Sequence, residues 1–420
     1  MTPVGLDCIR CGTRQPIRIT LEGCPSCGDI RSNLRVRYAD TPALRWSAVL
    51  QQDRGNMWRY AAMLPVASED IVSLGEGGTP LLHARTLGRD FGLERLYLKD
   101  ESRNPTWSYK DRLSTVAVSV ARRMGAKVMA TASSGNAGAS LAAYAARAGL
   151  PCVVFTYAGT AGPMLAQIRK YGAKVVPLLR KQDRWPMLKD CVQRFGWFAT
   201  SPYSAPVIGS HPLGIEGYKS IAYEICADLG WACPDWVVMP VCYGDALAGA
   251  WYGFQELQAA GVIRKLPRMV AVEVFGSLAA VLDGNTDQVP DMPAGFAPLA
   301  ISVGATQSSY QALKALRESG GRAEVVGNDG LIAMQEHLAQ REGVFAELTA
   351  AMPAVAIRSL AKARVIGPKD TVVGVVTASG LKDLDKSVSD SSAEAGVSGT
   401  FEDVSRYLMQ QFRFNPAQAA

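Results

Sequence analysis

Short apolar runs alternate with amphipathic stretches along most of this chain, from about residue 93 onward. The apolar runs are bounded by turn residues, as is typical of buried strands, and they cover residues 95–99, 127–132, 151–157, 173–179, 235–241, 269–275 and 371–376. Apolar residues at helical spacing predict helices at Tyr109–Met124, Asn136–Arg147, Met164–Tyr171, Glu216–Leu229, Ala246–Leu257 and near Phe401–Phe412. The alternation predicts an α/β fold with doubly wound parallel sheets.

The length and the net charge of the chain narrow the class of protein. With 420 residues the chain is long enough for two or three domains, and its net charge of +6 is too small for a protein that coats nucleic acid. The N-terminus lacks the pattern of a signal peptide, and no long uncharged apolar run follows. We therefore expect a cytoplasmic protein with no nucleic-acid partner and no membrane association.

Two CxxC pairs near the N-terminus have the spacing of zinc knuckles. Cys8 and Cys11 are separated by twelve residues from Cys24 and Cys27, and a glycine follows each pair. Four thiolates complete a tetrahedron, which predicts a closed, structural zinc site; the alternative is four ordinary buried cysteines. The five remaining cysteines are scattered, as in reduced intracellular proteins.

Four loops carry candidate chemistry. Lys110 follows Pro105, Trp107 and Tyr109; taken alone, a lysine at a helix start is usually a solvated cation. The segment from Ser133 to Gly138 links a strand to a helix, where amides and the helix dipole favour an anion, although a simple helix cap explains it equally well. The turns at 241–249 and 377–383 also follow strands, where open α/β folds bind ligands.

Taken together and in this order, these motifs resemble the threonine synthase group of pyridoxal-phosphate enzymes, of the fold type II that also includes cysteine synthases and serine and threonine dehydratases. The resemblance covers most of the chain, through the zinc ribbon and the motifs GEGGTPL, NPTWSYKDR, SSGNAG, GIEGYKSIAYEI, YGDALAG, ISVGATQSSYQALKAL, EGVFAELTAA and TASGLKD.

The resemblance implies a role for each matching position. Lys110 would be the catalytic lysine that forms a Schiff base with pyridoxal 5'-phosphate. Asn136 would bind the cofactor's ring hydroxyl, and Thr377 would face its pyridine nitrogen. The substrate carboxylate would lie among Ser133, Ser134, Gly135 and Ala137, and the cofactor phosphate would lie at Gly244, Asp245, Ala246 and Leu247.

Three positions depart from the family pattern. Trp107 stands where a small residue is usual, so we expect its indole to line the substrate pocket beside the aldehyde carbon. Cys242 replaces a glycine of the phosphate turn, which is tolerated only if its φ stays negative. Gly214 occupies the place of an arginine that helps to hold the phosphate of O-phosphohomoserine. Two alternatives follow: Lys219 or His211 compensates for the arginine, or the substrate is a different β- or γ-activated amino acid.

The resulting hypothesis is a pyridoxal-phosphate-dependent carbon–oxygen lyase that makes threonine and phosphate from O-phosphohomoserine and water. One alternative is a β-replacement or β-elimination enzyme on a serine-derived substrate, as in cysteate synthases, cysteine synthases or dehydratases. A second is a non-catalytic zinc-ribbon binding or regulatory protein. We expect a zinc ribbon (1–37), a large cofactor-binding domain (38–104 and 205–395), a small α/β domain (105–204) and a tail (396–420). The family resemblance also implies a homodimer.

Overall fold

The computed structural model describes residues 3–20, 22–49, 55–160, 162–384 and 396–415. The chain separates into two units, Met1–Leu384 and Asp385–Ala420. In the second unit, residues 385–395, which include most of the predicted polar linker, lie outside the described residues, and a helix is found at the predicted position, Phe401–Phe412.

The strands of the first unit are short, as the apolar runs predict. In chain order they are β1 (Pro3–Cys8), β2 (Arg14–Gln15), β3 (Leu34–Tyr38), β4 (Leu81–His83), β5 (Arg95–Asp100), β6 (Met129–Thr131), β7 (Cys152–Tyr157), β8 (Lys174–Leu178), β9 (Phe198–Ala199), β10 (Trp236–Pro240), β11 (Arg268–Glu273), β12 (Arg322–Val325) and β13 (Thr371–Val376).

The helices lie mainly between the strands. In chain order they are α1 (Pro42–Ser47), α2 (Arg85–Phe91), α3 (Lys110–Arg123), α4 (Asn136–Arg147), α5 (Pro163–Lys170), α6 (Arg184–Phe195), α7 (Pro212–Ile215), α8 (Lys219–Asp228), α9 (Asp245–Ala259), α10 (Tyr310–Ser319), α11 (Leu331–Glu342), α12 (Leu348–Lys362) and, in the second unit, α13 (Phe401–Phe412). None of the described helices is both long and apolar enough to cross a membrane.

The N-terminal segment forms a small antiparallel sheet with the order β2-β1-β3. Leu6 in β1 lies opposite Val36 in β3, and both side chains are buried. The sheet joins the two ends of the cysteine-rich segment, because Cys8 ends β1 and Leu34, the partner of Cys8 across the sheet, begins β3.

Two further sheets carry the α/β part of the fold. The larger sheet has the order β12-β11-β10-β13-β5-β4. The smaller sheet has the order β8-β7-β6-β9, and in this smaller sheet every neighbouring pair is parallel. Central strands such as β10 are buried at every residue, because helices cover both faces of a parallel sheet. The predicted doubly wound α/β architecture is confirmed.

The large sheet departs from the all-parallel prediction at one edge. The strand β4 pairs antiparallel with β5, with Leu82 opposite Leu98. Open parallel sheets often carry such an antiparallel edge strand, and a strand this short presents few unpaired backbone groups. The small sheet lies between residues 129 and 199, inside the range predicted for the small domain, while the domain boundaries themselves stay a prediction.

Candidate active site

The loop before Lys110 is hydrogen-bonded to the loop that follows β13. The backbone N–H of Tyr109 donates to the carbonyl oxygen of Thr377 at 2.9 Å, and that of Ser379 donates to the carbonyl oxygen of Trp107 at 3.1 Å. Two predicted site residues that are 267 positions apart, Lys110 and Thr377, therefore lie next to each other at the carboxyl ends of β5 and β13.

Lys110 begins α3 and lies close to two tyrosine rings. Its Nζ donates to Tyr109 Oη at 3.1 Å and lies 4.4 Å from the centre of the Tyr109 ring and 5.8 Å from that of Tyr218. Burial favours the neutral amine, but Tyr109, Tyr218 and the Asp245 carboxylate outweigh it and hold the pKa of Lys110 well above its ordinary value. The amine must lose a proton before it acts as a nucleophile.

Asp111, the next residue, holds the same loop from inside the protein. Its carboxylate accepts from the N–H of Thr106 at 2.7 Å and from Ser140 Oγ of α4 at 2.6 Å. Burial raises the pKa of Asp111 to about 6, although these hydrogen bonds oppose the shift. The carboxylate therefore ties the lysine loop to the helix that begins at Asn136.

The predicted carboxylate loop lies between β6 and α4. The N–H of Ala132 donates to Ser201 Oγ at 2.9 Å, and Asn136 is the first residue of the helix. One cavity brings this loop and the lysine together, since it is lined by Lys110, Leu113, Ser114, Ala137, Thr200, Ser201 and Ser210. Ser133, Ser134 and Gly135 are partly exposed immediately before the helix, where free amides favour an anion.

Asn136 makes a contact that the sequence analysis missed. Its Nδ2 donates to Glu347 Oε2 at 2.6 Å, while its Oδ1 is buried without a hydrogen bond to the described residues. Glu347 is 1% exposed, and its own N–H donates to the carbonyl oxygen of Ala378 at 2.9 Å. The only sequence signal for it was an acid among apolar residues in EGVFAELTAA.

The turn before α9 has the geometry of an anion cradle. Gly244 has φ +78°, and a Cβ there would lie 2.3 Å from Ala312 Cβ, so a side chain is excluded. Cys242 has no positive φ, which satisfies the condition under which this departure is tolerated. The first turn of a 15-residue helix follows, with Asp245, Ala246 and Leu247.

The Asp245 carboxylate is occupied by hydrogen bonds from other residues of the protein. Its carboxylate accepts from the N–H and Oγ of Ser210 at 2.8 and 2.7 Å and from Gln311 Nε2 at 2.6 Å. Asn33 of the N-terminal segment donates to Gln311 Oε1 at 3.0 Å and to the Ser210 carbonyl oxygen at 3.1 Å. Asp245 therefore offers an anion only its backbone, and its carboxylate fixes the turn.

Position 107 has a backbone conformation that favours glycine over tryptophan. Its φ is +65°, the left-handed region that costs a residue with a side chain roughly 1–2 kcal/mol and costs glycine almost nothing. The indole is 47% exposed. Its predicted place beside the cofactor stays a prediction.

Position 214 faces helix α3. A Cβ on Gly214 would lie 3.1 Å from Leu113 Cγ and 3.3 Å from Ala117 Cβ. A side chain at position 214 would therefore need Leu113 and Ala117 to move by a few tenths of an ångström.

Neither predicted substitute for that arginine is available. Lys219 is 0% exposed; its Nζ donates to the Met63 carbonyl oxygen at 2.7 Å and pairs with Glu216 at 2.5 Å and Glu256 at 3.1 Å. His211 stacks on Phe198 with ring centres 4.4 Å apart, and burial lowers its pKa to about 4, which leaves it neutral at pH 7. In this structure neither side chain presents a free charge, so the geometry does not support either one as the compensating group.

The four N-terminal cysteines converge as their spacing predicts. The Sγ atoms of Cys8, Cys11, Cys24 and Cys27 all lie within 4.8 Å of one another, with 3.4 Å between Cys8 and Cys27 and 3.6 Å between Cys11 and Cys24. Hydrogen bonds from Thr13 lower the pKa of Cys11 to about 6, whereas burial raises the pKa of Cys24 to about 12. The cluster has the donor set and size of a structural zinc site.

We expect freshly purified protein to contain close to one zinc per chain, and Cys24→Ser to lose it, because three thiolates cannot complete the tetrahedron. Cys191→Ser, outside the cluster, should retain the metal. Metal analysis measures the content, and hydrogen exchange should show increased opening of β1 and β3 in Cys24→Ser only. Metal-free native protein would contradict the site.

Known proteins are similar to this chain over most of its length. The family model described as "Pyridoxal-phosphate dependent enzyme" matches residues 72–378. The threonine synthase of Methanocaldococcus jannaschii is 34% identical over 91% of this chain and 93% of its own length, and that of Methanosarcina acetivorans is 34% identical over 90% and 92%.

Solved structures share the fold at lower identity. An L-serine ammonia-lyase from Rhizomucor miehei has a TM-score of 0.62 at 20% identity and covers 74% of this chain and 96% of its own. The threonine deaminase isoform 2 of Solanum lycopersicum has a TM-score of 0.62 at 17% identity and covers 87% and 92%. These likenesses confirm the fold type expected from the sequence motifs.

The residues present fit pyridoxal phosphate. A lysine amine faces a cavity between two helix N-termini, and the buried Asn136 Oδ1 and Tyr218 Oη have no hydrogen-bond partner among the described residues. Such polar atoms are costly to bury unless a ligand satisfies them. The family-model match over residues 72–378 and the similarity to threonine synthases over nearly their full length place this chain in the family of pyridoxal-phosphate-dependent enzymes, as a threonine synthase-like lyase.

Proposed function

We propose that this enzyme is a threonine synthase, which converts O-phospho-L-homoserine and water into L-threonine and phosphate. The observation that carries the proposal is the similarity to proteins named threonine synthase over nine-tenths of both chains. The convergence of Lys110, the Asn136 helix terminus and the Asp245 turn supports it, since each component of this chemistry has a residue in place.

The proposed roles follow from position. Lys110 would hold the cofactor covalently, and pyridoxal phosphate, when bound, supplies an electron sink for the substrate's carbon atoms. Asn136 would face the ring hydroxyl, Thr377 the ring nitrogen, and the amides from Gly244 to Leu247 the phosphate. A hydroxyl at Thr377 does not protonate the ring nitrogen, which suits elimination and replacement chemistry.

Lys110 would also move the protons of the reaction. Its Nζ, freed when the substrate amine replaces it, would take one proton from Cα and one from Cβ, and would return one proton to Cγ and one to Cα. The bond between Cγ and the phosphate oxygen would break with its electron pair on phosphate, water would add its hydroxyl at Cβ, and the remaining proton of the water would go to the released phosphate. The amides of Ser133 to Ala137 would hold the substrate carboxylate throughout.

The test is direct conversion by the purified holoenzyme. O-phospho-L-homoserine should yield threonine and phosphate in equal amounts, whereas O-phospho-L-serine, O-acetyl-L-serine and L-serine should yield little product. Phosphate release and amino-acid analysis measure both products. Efficient turnover of a serine derivative, with none of O-phospho-L-homoserine, would overturn the proposal.

A second candidate is β-replacement or β-elimination on a serine-derived substrate. It is favoured by Leu113, which fills the space beside Gly214 and leaves apolar surface where the family commonly has an arginine. The same panel of substrates separates the two candidates, because a β-elimination produces a keto acid and ammonia instead of threonine.

A further inference from the structure

Apart from Lys110, which would hold the cofactor, no cation near Gly214 among the described residues is free for a substrate phosphate. Leu113 occupies the space in front of Gly214, His211 is neutral, and Lys219 is paired with Glu216 and Glu256. A substrate with a terminal phosphate needs a cation from another element.

Arg184, the first residue of α6, lies beside the carboxylate loop. Its Nη1 donates to the Ala132 carbonyl oxygen at 3.3 Å, and its Nε donates to that of Lys181 at 3.0 Å. Ala132 directly precedes Ser133, and its own N–H donates to Ser201, which lines the cavity with Lys110. The guanidinium is thus one hydrogen bond from the loop proposed to hold the substrate.

Trp185, the residue after Arg184, brings α6 close to the turn that follows β10. The rings of Trp185 and Tyr243 lie 5.8 Å apart, and Tyr243 precedes Gly244 of the proposed phosphate turn. The guanidinium of Arg184 also lies 5.8 Å from the centre of the Tyr157 ring. Arg184 therefore stands between the loop that follows β6 and the turn that follows β10.

The guanidinium of Arg184 is only partly buried, and it differs from the fully buried arginines in its partners. Arg45 pairs with Glu256 and Arg112 with Glu101 and Glu224, whereas no carboxylate oxygen of the described residues lies within 4.0 Å of Arg184. Its neighbour Asp183 is paired with Arg180 at 2.7 Å. Burial lowers the pKa of Arg184, since no acid offsets the lost hydration. Its Nη2 donates to none of the described residues.

We propose that Arg184 is a specificity-determining residue that binds the terminal phosphate of the amino-acid substrate. The inference rests on the proposed function for its substrate class. An incoming phosphate would give the half-buried guanidinium its missing partner through charge-assisted hydrogen bonds. Arg184 would then supply, from α6, the contact that Gly214 cannot supply from α7.

The test compares Arg184→Gln with the wild-type holoenzyme, in which the cofactor occupies its own phosphate site. We expect the KM for O-phospho-L-homoserine to rise roughly 10- to 100-fold, with kcat little changed, because a charge-assisted contact is lost. Inorganic phosphate, titrated calorimetrically, should bind more weakly by a similar factor. The affinity for L-threonine, which has no phosphate, should be unchanged; it is measured from the change in the absorbance spectrum of the cofactor.

Two further variants and a folding check complete the design. Arg194→Gln removes the same charge from the exposed, opposite end of α6 and should behave as wild type. Arg184→Lys should retain part of the affinity, since an ammonium keeps the charge but loses the bidentate geometry. Circular dichroism and cofactor content establish that each variant is folded.

The outcomes separate this inference from the proposed function. If wild type makes threonine and Arg184→Gln leaves KM and phosphate affinity unchanged, the inference is overturned and the function stands. If wild type makes no threonine, yet O-phospho-L-serine and phosphate bind in an Arg184-dependent way, the function fails and the inference stands. An equal loss of L-threonine binding would show a general disturbance of the cleft and would also overturn the inference.

Discussion

Replacing Lys110 with alanine is expected to lower turnover on the order of 10³-fold or more and to abolish covalent retention of the cofactor. Alanine removes both the amine that would hold the cofactor and the base that would move the substrate's protons. Borohydride reduction of the wild-type holoenzyme, followed by peptide mapping, should place the label on Lys110 alone. Initial rates and cofactor content of Lys110→Ala complete the measurement.

The control for this prediction is Lys127→Ala, because Lys127 is exposed between α3 and β6. Lys99 is unsuitable: it is 0% exposed, and its Nζ donates to the Thr79 carbonyl oxygen at 2.6 Å and pairs with Glu224 at 2.9 Å. Lys382 is the alternative to watch, since burial lowers its pKa to about 8 and makes its amine easier to deprotonate. A label on Lys382, or an active Lys110→Ala variant, would refute the assignment.

The order of the candidate loops was predictable because each is a local pattern. A buried strand, a turn of small or polar residues and an amphipathic helix can be read within about 25 residues, and parallel strands bring such turns to one edge of a sheet. The predicted start of α4 at Asn136 agrees with the structure, which also places the loops of Lys110 and Thr377 side by side. The cysteine cluster was equally local, since two tight turns define its geometry.

What the sequence could not give depends on contacts between distant segments. The pairing of Asn136 with Glu347 joins residues 211 positions apart, and the direction of Gly214 toward Leu113 depends on how α7 packs on α3. Lys219 had a suitable charge and position in the sequence, yet its partner Glu256 lies 37 positions away. Charge type alone does not distinguish a ligand-binding lysine from one buried in an ion-pair network.

Arg112, two residues after Lys110, shows the same limit and yields a prediction about stability. The sequence presents it as one more charge in a lysine motif, but its side chain is 0% exposed. It donates to Glu101 Oε2 and Oε1 at 2.6 and 2.7 Å and to Glu224 Oε1 and Oε2 at 2.8 and 2.7 Å. One guanidinium thus pairs with two buried carboxylates at the start of the helix that carries Lys110, and Lys99 supplies a second cation to Glu224.

We expect Arg112→Met to lower the free energy of unfolding by about 3–5 kcal/mol, because it leaves Glu101 buried without its cation and leaves Glu224 only Lys99. Combining it with Glu101→Gln should cost less than the sum of the two single changes, since the neutral amide no longer needs a cation. Urea denaturation of the three variants measures the differences. Arg123→Met, which breaks an exposed pair with Asp70, should cost less than about 1 kcal/mol.

The ion pair between Arg112 and Glu224 also predicts a pH dependence of stability with a definite sign. Burial alone would raise the pKa of Glu224, but the Arg112 and Lys99 cations hold it well below its usual range. A carboxyl whose native pKa is depressed stabilises the fold fully above its unfolded pKa, about 4.3, and loses that contribution as pH falls toward the native value. Wild type should therefore lose stability more steeply than Arg112→Met between about pH 5 and pH 3. Parallel slopes for the two proteins in that range, or a cost of Arg112→Met no larger than that of Arg123→Met, would mean that the buried cluster does not hold the start of α3 in place.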